Sequence, residues 1–154
     1  MPTKYVRQAI AKRPISSIML ETPSSRAGKQ DMQAEFLPDG ALDCPILRLF
    51  GFQAAEIHRL MALCFCLANG SARQAEVPAE PVNGCRLTLS VGRFNKGVMR
   101  SDEHGRFECI LTSERWEEAV AMLAPFCRRE NGNRFQWLDE TSEISLLLSQ
   151  SGQW

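Results

Sequence analysis

Cysteine and histidine are the side chains in this sequence best suited to chemistry, and their spacing limits what they can do. Cys64-Phe65-Cys66 is the one close thiol pair. On a helix, residues two apart point about 200° from each other, so a single ion could not take both thiolates. A zinc site asks for paired ligands at short intervals or for histidines to complete the set. His58 and His104 show no such spacing. No metal and no cofactor is expected. Cysteine-nucleophile catalysis with His58 or His104 as base lacks an evident orienting acid. Gly92 to Gly97 has the four-residue interval of a phosphate cradle, but Val98-Met99 stands where Lys and a hydroxyl should open a helix. The stretch reads as a strand-to-strand loop with Arg93 and Lys96 in solvent. Asp139, Glu140 and Glu143, flanked by Thr141 and Ser142, read as a polar hairpin turn rather than catalytic acids. These patterns put binding ahead of catalysis.

The elements that position such residues are clearest from Arg106 to Arg129. Phe107, Cys109 and Leu111 alternate on one face of a strand. Thr112-Ser113-Glu114 supplies an N-terminal cap and an early carboxylate. Trp116, Val120, Leu123 and Cys127 then form a helical stripe. Pro125 should kink or shorten that helix. Upstream, Pro45 to Phe52 reads as a strand. Gln53 to Asn69 reads as a helix with the stripe Ile57, Leu60, Met61, Cys64, Leu67 and a stop at Gly70. Ser71 to Gly84 is expected to be a loop. Cys85–Val91 and Lys96–Arg100 are expected strands, and Arg134–Leu138 and Ile144–Ser149 a final hairpin. The order β-α-β-β-β-α-β-β implies an α+β two-layer sandwich, two helices on one face of a mainly antiparallel sheet. Leu49–Leu67 and Glu108–Phe126 each run strand, cap, stripe, which suggests a duplicated βαββ unit.

Length and composition fit one globular domain: 154 residues, 44% hydrophobic, 23% charged and no net charge. The charge is uneven. Residues 1–30 carry six basic side chains and one acidic, and residues 31–43 carry four acidic and none basic. Residues 1–43 therefore read as a largely irregular arm, basic then acidic. A short helix is expected near Tyr5 to Lys12 and an apolar docking segment at Ile15 to Leu20. The domain proper is expected over 44–154. No leading apolar signal core and no run long enough to span a bilayer is present, so reduced thiols, a cytoplasmic setting and no membrane association are expected.

Two features stand out as candidate binding surfaces. The expected strand register puts Arg48, Arg86, Thr88, Ser90, Arg106, Glu108, Arg134 and Gln136 on one open sheet face, four arginines against one acid. That face would suit a small anion or a nucleic acid, although it lacks the aromatic pair on which bases stack. The second feature is Leu60 to Ala68, apolar all round the first helix, which leaves Leu63, Phe65 and Cys66 without a cover. The sequence reading is therefore a non-enzymatic interaction or assembly module. Its expected partner is a second copy or another protein on the first helix, with anion or nucleic-acid binding through Arg48, Arg86, Arg106 and Arg134 as the alternative.

Overall fold

A computed structural model describes residues 31–41, 44–128 and 134–154. The elements run β1 (Gln33–Ala41), β2 (Cys44–Phe50), α1 (Ala54–Ala68), β3 (Gln74–Glu76), β4 (Glu80–Pro81), β5 (Arg86–Val91), β6 (Gly97–Arg100), β7 (Arg106–Leu111), α2 (Ser113–Leu123), a 3₁₀ turn (Ala124–Cys127), β8 (Phe135–Asp139) and β9 (Ser145–Ser149). The class is α+β, as expected.

The strands form two sheets rather than one. Their orders are β4-β1-β2-β9-β8 and β3-β5-β7-β6. Antiparallel pairs (β1/β2, β3/β5, β6/β7, β8/β9) alternate with parallel ones, of which β2/β9 and β5/β7 hold the sheet centres. Among the described residues, one antiparallel bridge, Val98 to Ile144, joins the two sheets. This pairing repeats. Strands β1-β2, helix α1, then β3 and β5 match β6-β7, α2, then β8 and β9. Each sheet takes the first two strands of one half and the last two of the other. The repeated unit is thus one strand longer than the expected βαββ, and its halves are interleaved.

Local chemistry explains the helices. Gln53 precedes α1, and the carboxylate of Glu56 reaches back to accept its backbone N–H at 2.8 Å. The same carboxylate accepts the Met32 N–H at 2.5 Å, tying the residue ahead of β1 to the helix start. Thr112 Oγ1 accepts the Arg115 N–H at the start of α2. Pro125 lies in the 3₁₀ turn, where the α-helix has already ended, so the expected shortening occurs. The stripe Ile57, Leu60, Cys64, Leu67 is buried on α1. On α2 the buried set is Trp116, Ala119, Leu123, continued by Phe126, while Val120 and Cys127 are half-buried. The stripe therefore sits slightly further round the helix than expected, with Val120 and Cys127 on its flank. The two buried sets correspond one to one: Ile57 with Trp116, Leu60 with Ala119, Cys64 with Leu123, Leu67 with Phe126. Both helices and both sheets close one core. Trp116 Nε1–H donates to the Ser90 carbonyl at 3.0 Å inside it, and Phe52 meets Phe126 edge-on at 5.7 Å.

Several expectations are corrected here. Gln33–Ala41, placed by sequence in an irregular arm ending at residue 43, is β1, and it pairs with β2 along most of its length. Pro38 falls where the β1/β2 register shifts, one of the few sheet positions a proline tolerates. The expected loop 71–84 contains two short edge strands, β3 and β4. The loop after β5 does not close a hairpin, because β7 lies between β5 and β6. The basic segment 1–30, with its expected helix and its Ile15–Leu20 segment, lies outside the described residues.

Candidate functional site

The two-sheet arrangement separates the four arginines. Arg48 belongs to the five-stranded sheet, whereas Arg86 and Arg106 belong to the four-stranded one. Arg134 is exposed just ahead of β8, the edge strand of the five-stranded sheet opposite β4. Only Arg86 and Arg106 come together, as register partners on parallel strands, with Thr88 beside Glu108 in the next row. The expected single face of Arg48, Arg86, Arg106 and Arg134 is not assembled, because a register read along one continuous sheet does not carry across two.

Three of the four also hold carboxylates. Arg48 bonds Glu35, its cross-strand partner, through Nε at 2.8 Å and Nη2 at 2.5 Å, and gives Nη1–H to the Gly152 carbonyl at 2.6 Å. Its guanidinium also lies 4.3 Å from the Phe50 ring centroid. Half-buried and fully engaged, Arg48 fastens the C-terminal turn to β2. Arg86 pairs with Glu76 at 3.2 Å and Arg106 with Glu103 at 2.7 Å. Both of these pairs are more than half exposed, so each is worth about 0–1 kcal/mol and opens readily. Glu108 is occupied by the Ser90 hydroxyl at 2.6 Å. Acids thus neutralise the surface that the strand register had left with a single carboxylate.

The thiols and carboxylates resolve as structural groups. All six cysteines are free. Burial pushes the Cys64 thiol up to about 12 and the Cys85 thiol to about 11, and raises Cys109 further still. Cys127 Sγ approaches His58 Nδ1 at 3.7 Å and Met61 Sδ at 3.4 Å, a contact that no sequence spacing revealed. A nucleophilic thiolate requires a lowered pKa, but burial moves Cys127 upward. His104 is exposed on the turn between β6 and β7. Asp139 is buried and closes the β8–β9 turn, accepting the Thr141 N–H at 3.1 Å and hydroxyl at 2.6 Å. Gly97 sits against it with φ +74°, where a Cβ would lie 2.7 Å from Asp139 Oδ2. Glu140 and Glu143 point into solvent.

On α1 the sequence reading is partly realised. Phe65 is 59% exposed, whereas Leu63 and Cys66 are half-buried. Residues 63 and 65 lie on opposite flanks of a helix, so they do not form one patch. Phe65 instead shares its side with exposed Ala62 and His58. No described helix is long and apolar enough to cross a membrane.

One surface had no sequence signal. A cavity of about 510 Å³ opens where β1 of one sheet meets β6 and β7 of the other, and the turn between β6 and β7 walls it. Phe36 and Phe107 form part of its lining, with ring centroids 4.8 Å apart, and Arg100 lies 4.5 Å above the Phe36 ring. Phe36 was hidden in the supposed arm, so sequence spacing gave no reason to set it beside Phe107.

No protein-family model, no curated protein and no solved structure matches this chain. Its functional reading rests on its own residues.

Proposed function

We propose that the protein acts by binding another protein chain, a second copy of itself first, through the outward side of α1. The observation that carries this is Phe65, 59% exposed near the middle of Leu60–Ala68, nine residues without a charged side chain. Interface cores lose charge and gain aromatic side chains, and a single aromatic anchor commonly dominates the binding energy. Ala62, exposed on the same side, leaves room for a second helix to approach. In a two-fold contact the same patch meets itself, and an uncharged patch does so without like-charge repulsion. Sedimentation velocity tests this directly. The wild type should run above monomer size, and Phe65→Asp should run as a monomer with an unchanged circular dichroism spectrum, since Phe65 lies outside the core. A wild type that stays monomeric at high micromolar concentration overturns the reading.

A further inference from the structure

We propose that the cavity between the two sheets binds a small organic monoanion with a flat apolar body, of the aromatic carboxylate kind. Its volume of about 510 Å³ lies in the range of small-molecule sites. Both sheets contribute to it, Phe36 from β1 and Phe107 from β7, tilted 38° to each other. At this separation the two rings pack on each other and present one apolar wall, mostly the half-buried Phe36 because Phe107 is buried, against which a planar group can lie. Cys85 is buried on the wall, and with its pKa raised to about 11 it remains a neutral, apolar thiol.

The polar anchor is Arg100. Arg48, Arg86, Arg106 and Arg115 each hold a carboxylate. Arg100 has none among the described residues and stacks instead on the Phe36 ring beneath it. Stacking fixes the plane of the guanidinium and leaves its N–H edges free, the geometry that grips a carboxylate through two parallel bonds. A ligand whose ring packs against the open edge of the Phe36–Phe107 wall and whose carboxylate meets Arg100 would use both halves of the cavity.

The rim sets the charge of the ligand. Asp102 and Glu103 line the cavity from the β6–β7 turn, and Glu103 is engaged by Arg106. Two carboxylates so placed oppose a second negative charge, which favours a monoanion over a polyphosphate. The turn is also fixed in place. The Gly105 carbonyl accepts the Arg86 N–H at 2.8 Å. It packs so tightly on Gly84 that a Cβ would stand 2.6 Å from the Gly84 oxygen. The wall is therefore preformed, as small-molecule sites usually are.

The test is an amide-resolved NMR titration of the full chain with 2-naphthoate, neutral 2-naphthalenemethanol and inorganic phosphate. 2-Naphthoate should shift amides of residues 100–107 and Phe36. The neutral alcohol and the Arg100→Gln variant should each bind about tenfold more weakly, as expected for loss of one charge-assisted contact. Arg93→Gln, in an exposed loop, should bind as the wild type does, and phosphate should neither shift these amides nor displace 2-naphthoate. The proposal is overturned if 2-naphthoate leaves these amides unmoved at about 5 mM, or if the alcohol binds equally well. It is also overturned if phosphate competes or if Arg93→Gln loses as much as Arg100→Gln. The comparison of 2-naphthoate with the alcohol uses wild-type protein alone, so it holds even if a variant misfolds. None of these readouts depends on the oligomeric state assigned to α1.

Discussion

Truncating Trp116 should damage this fold more than any change on its surface, and the structure says by how much. The indole is 2% exposed between α2 and the core. Replacing a buried aromatic of this size with alanine costs about 3–5 kcal/mol in lost burial and residual cavity. The indole N–H also ends on the Ser90 carbonyl of β5 at 3.0 Å, and losing that bond adds about 1 kcal/mol. The total is a large share of a typical stability of about 5–15 kcal/mol. Trp116→Phe separates the two contributions: it keeps most of the ring packing and removes the donor, so about 1–2 kcal/mol is expected. Urea unfolding followed by far-ultraviolet circular dichroism gives both values. A cost below about 1 kcal/mol for Trp116→Ala would mean that the side chain is not in the core. A phenylalanine variant as damaged as the alanine one would mean that the hydrogen bond, not burial, governs the site.

Two further outcomes follow from packing and topology. The raised pKa values of Cys64, Cys85 and Cys109 mean that the native state keeps protons the unfolded state releases above about pH 8.5. Stability should be complete below that pH and fall as pH rises toward about 11, by about 1.4 kcal/mol per unit for each thiol; urea midpoints unchanged between about pH 8 and pH 10 would contradict this. Because each sheet draws strands from both halves, fragments 1–93 and 94–154 expressed apart should show no cooperative unfolding transition, and mixing them should restore one. A cooperative transition in either fragment alone would show that the halves are independent.

The helices were legible because α1 and α2 write their burial into a local 3.6-residue period, with caps at Gln53 and Thr112 to fix their starts. The strands from β5 onward were legible by alternation or by turn residues at their ends. Strand β1 was not: Glu35 and Asp39 gave the segment the charge of a linker, and Pro38 broke its pattern. The structure accommodates these by pairing Glu35 with Arg48 across the strands and placing Pro38 at a register shift. Partner choice was also hidden. The run Ile144 to Ser149 does carry a clue, since three consecutive leucines without alternation suit a strand buried on both faces, and β9 is buried throughout, inside its sheet between β2 and β8. Nothing local says that its parallel neighbour is β2. That unknown is why Arg48 and Arg86 appeared to share a face, whereas Phe65, whose exposure follows from one helix alone, could be placed from sequence.

The most direct measurement of the proposed function is an isotope-filtered NOE experiment on a mixture of labelled and unlabelled full-length protein. It detects contacts between copies only. The expected result is a set of intermolecular NOEs from the Phe65 ring to Ala62 and Phe65 of a second copy, absent in Phe65→Asp. Intermolecular NOEs confined to another surface, or none at concentrations where the protein sediments above monomer size, would contradict self-association through α1.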